Sequence, residues 1–401
     1  MLKKLNNFFI LFLLFFFIIA CNSNPLPIEV KTINGRTRVC SKGETNLLLA
    51  TNYDGNRLLI ISISGYRELF SLYTGKNPGD IAVSPQGQTI LVSNEGSNSI
   101  SVFRRISGEQ FDELGVVKVG VRPDGIIFNR TGNEAYVSVQ EEGIIVVLDN
   151  SNVNVKPSIK GALRIPGPDP KPGKLVISSD DKQLFVTDIN NKRIIEFKRN
   201  NITEVFTYNK TWKPTDTMKE NLKLQGITID KNNRLYVANS IDDSIISFDT
   251  SNIENIISII KLNTKENEVV SPYKMVFNEK HDKLYITNKY NSTVSVIKNP
   301  SSILGTKNIN EVGYIISLSE SIDNNKNFLS SKTPEGIVLD SNQDILYVAN
   351  GYGASLSVID CNNDKLINNW GVNSSSLGAQ IPLGDLKMLA GITNSNCTEK
   401  K

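Results

Sequence analysis

Short runs in which apolar residues alternate with small or polar ones recur along the whole chain. Seven of them share one form: LLLATN (47–52), ILVSN (90–94), AYVSV (135–139), LFVTD (184–188), LYVAN (235–239), LYITN (284–288) and LYVAN (346–350). A second alternating run follows each copy, and its last residue always lies ten positions beyond the last residue of the first run. Period-two alternation of β-branched and aromatic residues is typical of strands. Each unit is therefore predicted to be a β-hairpin of fixed size.

Another short apolar run precedes six of these hairpins, and a turn introduces it. The six segments are NPGDIAVSPQGQ, RPDGIIFNRTGN, KPGKLVISSDDK, KLQGITIDKNN, SPYKMVFNEKHD and TPEGIVLDSNQD. Proline fixes the backbone at the turn and glycine permits unusual angles, so the chain re-enters a strand at a defined place. The spacing between successive hairpins varies from 42 to 62 residues, so insertions fall outside the paired strands. A repeat of this length with four short strands predicts a β-propeller blade, and the structural alternative is a β-solenoid.

The elements NPGDIAVSPQG, LYVAN or LYITN, and SLSVID resemble those of the YVTN-repeat propellers, in the wider group of lactonase-like and quinoprotein-like propellers. The resemblance spans Arg38 to Gly371 and implies an all-β, seven-bladed propeller of four-stranded antiparallel blades. We place it at residues 35–393, before a polar tail at 394–401. Its activity stays open, because one propeller frame serves lyases, lactonases, dehydrogenases and binding modules.

Two segments could supply the innermost strand of the first blade and so close the ring. One is Gly35 to Lys42, and the other is Asp385 to Thr393 at the C-terminal end. Either arrangement brings the two ends of the chain together, and a disulfide between Cys40 and Cys397 would then lock the seam. The sequence alone does not fix this pairing.

The N-terminus reads as an export signal. Lys3 and Lys4 precede an unbroken apolar run from Phe8 to Ile19, which is short for a membrane span. The ending Ile-Ile-Ala-Cys resembles a bacterial lipobox, which implies a signal peptide at 1–20, acylation of Cys21 with palmitate-type chains and a tether over 21–34. We expect a lipoprotein of the cell envelope, with the residue after the cysteine favouring the outer membrane. The alternative is an ordinary secretory signal.

Composition and motifs exclude several classes of function. Removing residues 1–20 takes away two lysines, so 42 basic side chains (44 minus 2) face 41 acidic ones, which argues against nucleic-acid binding. The single histidine, His281, lies in an EKHDK turn and cannot build a multi-histidine metal centre. The sequence also lacks CxxCH, GxSxG, a Walker loop and a GxGxxG that opens a helix. We expect no cofactor.

A calcium-assisted lactonase or lyase survives this filter, because Ca²⁺ needs only oxygen ligands. Four candidate ligands end equivalent strands in neighbouring blades: Asp188, Asn239, Asn288 and Asn350. The stronger interpretation is that asparagine and aspartate cap the turn at this place through side-chain hydrogen bonds. No catalytic residue is assigned, and an enzyme is the less favoured reading.

A binding surface is easier to motivate from the sequence. In propellers of this kind the turns between second and third strands open on the same face as the links between blades. Tyr53, Tyr290 and Tyr352 lie in three of these turns, and an insertion that begins at Tyr208 adds Trp212. Amphipathic rings on a rim suit recognition of a protein or glycan partner, although they could equally cover their own hairpins. The sequence therefore favours a membrane-anchored interaction module, with a cation-dependent lactonase as the alternative.

Overall fold

The fold is an all-β, seven-bladed propeller. The computed structural model describes residues 29–33, 36–40, 47–63, 67–212, 222–262, 269–300, 314–318, 333–351, 355–371 and 383–389. Within them, seven sheets contain four propeller strands each, and every adjacent pair of strands runs antiparallel. The predicted fold class is confirmed, and the signal peptide with Cys21 lies outside the described residues.

The strands follow the repeats, and blades are numbered in chain order. Before blade 1 lie β1 (Glu29–Ile33) and β2 (Arg36–Cys40), and blades 1 to 3 contain β3 (Leu47–Asn52), β4 (Arg57–Ser62), β5 (Arg67–Tyr73), β6 (Pro78–Val83), β7 (Thr89–Asn94), β8 (Ser99–Ser107), β9 (Gln110–Lys118), β10 (Pro123–Phe128), β11 (Glu134–Val139), β12 (Ile144–Asp149) and β13 (Ser158–Arg164). Blades 4 and 5 contain β14 (Pro172–Ile177), β15 (Gln183–Asp188), β16 (Arg193–Lys198), β17 (Thr207–Trp212), β18 (Leu224–Ile229), β19 (Arg234–Asn239), β20 (Ser244–Asp249) and β21 (Asn252–Lys261). Blades 6 and 7 contain β22 (Pro272–Asn278), β23 (Lys283–Asn288), β24 (Thr293–Lys298), β25 (Tyr314–Ser317), β26 (Pro334–Asp340), β27 (Ile345–Asn350), β28 (Ser355–Asp360) and β29 (Lys365–Gly371), and β30 (Leu386–Leu389) completes blade 1.

The second and third strands of every blade keep one register. The last residue of the second strand pairs with the residue five positions later, as Asn94 pairs with Ser99 and Asn288 with Thr293. The residue just before the third strand has a left-handed backbone in six hairpins, including Asn98 at φ 56° and Gly143 at φ 62°. Asparagine and glycine tolerate this conformation, which explains their place in the repeat. The predicted fixed hairpin is confirmed.

The hydrophobic core is divided among the seven seams between blades. Each seam buries side chains from two neighbouring blades; for example, Leu48 and Leu59 of blade 1 pack with Tyr347 and Val358 of blade 7. Strand residues alternate between the two faces of a sheet, so each blade feeds one seam on either side. Stability is therefore spread around the ring, and each blade depends on both neighbours.

The C-terminal end closes the ring. Strand β30 pairs with β3 from Leu47 opposite Leu389 to Ala50 opposite Leu386, as the innermost strand of blade 1. The N-terminal segment instead forms the hairpin β1–β2, and β2 pairs with β9 at the outer edge of blade 2. The alternative in which residues 35–42 close the ring is therefore wrong. The predicted end of the tether at residue 34 is also too late, because Glu29–Ile33 already forms a strand.

Two predictions about the ends of the chain stay open. Cys397 lies outside the described residues, so its pairing with Cys40 remains a prediction. No helix among the described residues is long and apolar enough to span a membrane.

Candidate functional site

The central channel carries a layer of charged side chains at the start of the inner strands. In blades 2 to 7 the first strand shifts register between its first and fourth residues, as between Pro78 and Ile81, so the third residue leaves the regular ladder. Such bulges re-aim a side chain. The residues at this third position, including the equivalent one before β30, are Asp80, Gly125, Lys174, Gly226, Lys274, Gly336 and Asp385.

Hydroxyl groups of the neighbouring second strand fix the backbone of the charged positions. The amides of Asp80 and Lys274 donate to Ser93 Oγ and Thr287 Oγ1 at 2.8 and 3.0 Å. Thr187 and Thr51 accept in the same way from Lys174 and Asp385. The serine or threonine just before the end of the second strand is therefore the part of the repeat that positions this layer.

Glycine occupies the other third positions because the neighbouring blade approaches too closely for a side chain. A Cβ atom on Gly226 would lie 2.3 Å from the carbonyl oxygen of Tyr273, and one on Gly336 would lie 2.5 Å from that of Gly384. Contacts at these distances require the backbone to move. The inner strands consequently crowd together at three blades and project charges at four.

Ion pairs of this layer cross the channel. Lys274 Nζ of blade 6 lies 2.5 Å from Asp385 Oδ1 beside blade 1 and 3.2 Å from Asp80 Oδ1 of blade 2. On the other side, Lys174 Nζ lies 2.6 Å from Asp124 Oδ1 and 3.8 Å from Asp80. One side chain thus spans blades that are not neighbours, which places the whole group in the channel.

Backbone amides complete the coordination of the two most buried carboxylates. The Ile81 N–H donates to Asp385 Oδ2 at 2.9 Å, and the Ile126 N–H donates to Asp80 Oδ2 at 3.0 Å. Each carboxylate is therefore held by one backbone amide and by Lys274, and Asp80 also lies near Lys174. We call Asp80, Asp124, Lys174, Lys274 and Asp385 the channel layer.

The pKa values of the two central carboxyl groups, Asp80 and Asp385, are shifted in opposite directions. Burial alone would raise the pKa of Asp80, but Lys174 and Lys274 hold it well below its usual range. Burial raises the pKa of Asp385, and the adjacent Asp80 adds to this effect against the pull of Lys274. Burial disfavours the lysine ammonium groups, yet the facing carboxylates raise the pKa of both Lys174 and Lys274. These lysines remain cations, and of the two central carboxyl groups Asp385 is the one that keeps its proton to the higher pH.

The sequence did not reveal this layer. Two features of the sequence mark it. The third residue of the turn motif is Asp, Gly or Lys in different copies, as in NPGD, and a hydroxyl residue precedes the last residue of the next strand, as in LVSN. When the motif is interpreted only as a turn, its third residue is given no separate role. Only the closed ring brings blades 1, 2 and 6 to one point.

The tyrosines predicted to form the ligand face occupy three kinds of position: two are exposed in hairpin turns, one lies on an outer strand, and one lies outside the described residues. We call the face with the turns between second and third strands the upper face; there Tyr290 is 68% exposed and Tyr53 is 41% exposed. The Tyr53 hydroxyl donates to Glu95 Oε2 at 3.3 Å, so blade 2 partly holds it. Tyr208 lies on the outer strand β17 against Phe197, and Tyr352 lies outside the described residues.

Trp212 does not belong to a rim. Its side chain is only 4% exposed and packs edge-to-face on Phe248 with ring centroids 4.3 Å apart. It ends strand β17 and fills the seam between blades 4 and 5. Its placement on a ligand face is therefore wrong, because the outermost strand turns this residue toward the next blade.

The four predicted cation ligands serve their own hairpins. Asn288 and Asn350 donate to hydroxyl groups at the start of the third strand, as in the 2.7 Å bond from Asn288 to Thr293. Asp188 accepts from Arg193 Nε at 2.8 Å and from the Lys171 amide at 2.9 Å, and Asn239 accepts from the Lys223 amide. Of these four side chains, Asn288 and Asn350 are the two with an oxygen that has no hydrogen-bond partner in the described part of the chain. Two oxygens are too few for Ca²⁺, which takes six to eight, so these residues do not fit the ion.

Other reactive side chains in the described part of the chain have structural surroundings. Burial raises the pKa of the Cys361 thiol to about 11, which keeps it protonated and unreactive. His281 lies in the turn between β22 and β23, with Nε2 3.2 Å from Asp344 Oδ1. Among the described residues, no group of three His, Cys, Asp or Glu side chains is placed to hold a metal ion.

Comparisons with known proteins agree with the fold. Residues 46–170 match the family model described as a seven-bladed β-propeller lactonase. A periplasmic gluconolactonase of Pseudomonas aeruginosa superposes with a TM-score of 0.67 at 14% identity, covering 87% of this chain and 99% of that one. A Bacteroides fragilis protein with a provisional assignment as 6-phosphogluconolactonase gives 0.65 at 15% identity, with coverage of 87% and 99%. Among curated proteins, none matches the sequence. The chain is thus a seven-bladed propeller that is similar to the lactonase family model over residues 46–170.

Proposed function

We propose that the protein hydrolyses a small polar lactone at the channel layer. The observation that carries this proposal is the pair Asp80 and Asp385 around Lys274, whose environments push the two carboxyl pKa values apart. Two nearby titratable groups with separated pKa values are the usual mark of an acid and base assignment. The family-model match over 46–170 and the fold shared with a gluconolactonase support the substrate class.

The layer contains the groups that lactone hydrolysis requires. Asp385, as a carboxylate, takes a proton from the water that attacks the lactone carbonyl carbon. Lys274 and Lys174 remain cations and stabilise the oxygen that becomes negative. The ring C–O bond then breaks, and Asp385 returns the proton to the leaving alkoxide, which yields a hydroxy acid. Water and lactone are the only reactants, so the step needs no redox partner.

The replacement Asp385→Asn is expected to lower kcat for glucono-δ-lactone about 10²–10⁴-fold, because the amide cannot accept the proton. It should keep the fold, since the amide oxygen can still accept from the Ile81 amide. Base titration of the released acid, corrected for spontaneous opening, measures the rate. The wild-type rate should rise with pH through the raised pKa of Asp385, and the variant should lose that dependence.

Asp364→Asn is the matched control, because Asp364 is also a buried carboxylate that pairs with a lysine, Lys283 at 2.6 Å, but lies outside the channel layer. It should keep the wild-type rate. Wild-type protein that leaves the buffer rate unchanged would rule out this substrate class. Equal rates for wild type and Asp385→Asn would remove Asp385 from the mechanism while leaving lactone turnover intact.

We also propose partner binding on the upper face, as the function of a lipid-anchored envelope protein. The observation that favours it is a patch of exposed apolar side chains at the seam of blades 5 and 6: Ile241 at 55%, Val269 at 57% and Tyr290 at 68%. The Tyr290 amide donates to the Val270 carbonyl, which sets these turns side by side. Apolar and aromatic groups grouped on a rim suit a protein or glycan.

Changing Ile241 and Tyr290 together to serine is expected to abolish capture of envelope proteins or glycans by the immobilised soluble chain, without a lower Tm. Both side chains are exposed, so their loss should cost less than about 0.5 kcal/mol of stability. A control variant, Ile159→Ser with Ile367→Ser, removes two exposed apolar groups from outer strands. Capture that survives the first change, or that the control also abolishes, would contradict binding by this patch.

A further inference from the structure

The lower end of the channel holds a cavity that is separate from the channel layer. Its volume is about 440 Å³, and the inner strands of blades 1, 2, 3 and 7 line it. Its mouth is the turn from Ser84 to Gly87, between the first and second strands of blade 2, in which Pro85 and Gln86 are exposed. The lactone chemistry proposed above does not use this space.

The walls of the cavity are mainly apolar. They include Ile127, Val338 and Met388, which are only partly buried although they belong to inner strands. The more deeply buried Ala82, Ile126 and Phe128 also line the cavity. Apolar side chains that remain uncovered inside the fold leave hydrophobic surface in contact with water, and an apolar ligand would remove that contact.

One cation lies in this lining. Lys387 belongs to β30 and lines the cavity. It lies near enough to Asp80 and Asp385 to favour the charged forms of both carboxyl groups. Lys274 and Lys174 have carboxylates within ion-pair distance, but within the described residues Lys387 Nζ has no ion pair or hydrogen bond. The cavity therefore combines an apolar body with a single positive charge that makes no direct ion pair or hydrogen bond to the described residues.

We propose that this cavity is a binding site for a small amphipathic carboxylate, whose carboxylate meets Lys387 and whose aliphatic or aromatic body fills the apolar space. Pockets of 300–1,000 Å³ with few polar groups are the usual size and character of small-molecule sites. The turn at the lower face gives the entry path, so binding there does not pass the ion pairs of the channel layer.

Calorimetric titration with octanoate and with octan-1-ol tests this site in the full mature chain. We expect octanoate to bind one to one, and each methylene added from butyrate to octanoate to tighten it about fourfold. In Lys387→Met the affinity for octanoate should fall at least tenfold, while octan-1-ol should bind as to the wild type. Methionine keeps the apolar stem, so the comparison isolates the charge.

Lys156→Met is the control, because Lys156 is exposed and lies outside the cavity. It should change neither affinity. Val338→Phe, which fills part of the space, should weaken both ligands and leave lactone turnover unchanged. Wild-type protein that binds no octanoate, or a Lys387→Met variant that binds it unchanged, overturns the proposal. If Val338→Phe lowers the Tm sharply, the Lys387→Met comparison decides alone.

Discussion

A chain that ends at residue 382 is expected not to fold cooperatively. The cut removes Leu383, Leu386 and Leu389, all of which are fully buried, and it strips β3 of its inner partner. Burying three leucines contributes about 5–9 kcal/mol, which is comparable with the whole stability of a typical domain at about 5–15 kcal/mol. The Thr51 amide also loses the Asp385 carbonyl as its acceptor.

Circular dichroism during thermal unfolding checks this result, with size-exclusion chromatography for association through the open edge of β3. A chain that ends at Ala390 is the matched control, because it keeps β30 and lacks only residues 391–401. It should unfold cooperatively. A chain ending at 382 with the wild-type Tm would mean that another segment closes blade 1. The control also removes Cys397, so a Tm difference that disappears with reductant would reveal the predicted disulfide.

Lys274→Met is expected to destabilise the protein by about 3–5 kcal/mol at pH 7, because it leaves two buried carboxylates without their shared cation. Lys274, Asp80 and Asp385 are mostly shielded from solvent, so water screens this loss only partly. The three residues also belong to blades 6, 2 and 1, so the change loosens opposite sides of the ring at once.

The variant should also gain more stability than the wild type when the pH falls from 7 to 5. Lys274 holds down the pKa of Asp80, so in the wild type this carboxylate contributes stability above its unfolded pKa of about 3.9 and loses it as pH falls. Asp385 already has a raised pKa in the wild type, and loss of the lysine removes the main attraction that opposes this rise. The variant should then become more stable from pH 7 to pH 5, as chemical denaturation at each pH can measure.

The matched change Lys289→Met removes a lysine that pairs with Glu335 on the partly exposed upper face. It should cost about 1 kcal/mol or less. Equal losses for the two variants, or a Lys274→Met protein whose stability depends on pH as that of the wild type does, would show that the channel ion pairs do not carry this energy.

The repeat predicted the blades because its information is local. The fixed register from Asn94 to Ser99 follows from turn residues and alternation within one hairpin, and it recurs in all blades. Ring closure did not follow, because β30 is only four residues long and, unlike the other inner strands, it is not followed in the sequence by a repeat hairpin. Competing segments at the two ends were equally plausible by pattern.

The candidate site was missed for a related reason. Asp80, Lys274 and Asp385 lie far apart in the sequence. Only the closed ring brings the Lys274 Nζ atom within 3.2 Å of both carboxylates. Sequence periodicity also cannot distinguish an outer-strand ring that faces solvent from one that fills a seam, which is why Tyr208 is exposed and Trp212 is buried. The asparagines at strand ends, in contrast, act as local turn chemistry predicts.

The position of the N-terminal hairpin has a consequence for how the ring could stand on a membrane. Seven residues lie between Cys21 and Glu29, so the eight steps from one Cα atom to the other reach at most about 29 Å when the chain is extended. The hairpin joins the outer edge of blade 2, at the perimeter of the ring and away from either face. Acylation at Cys21 would therefore attach the propeller to the membrane at its outer perimeter, near blade 2. The axis of the propeller would then lie parallel to the membrane plane, and both open faces of the ring would remain accessible.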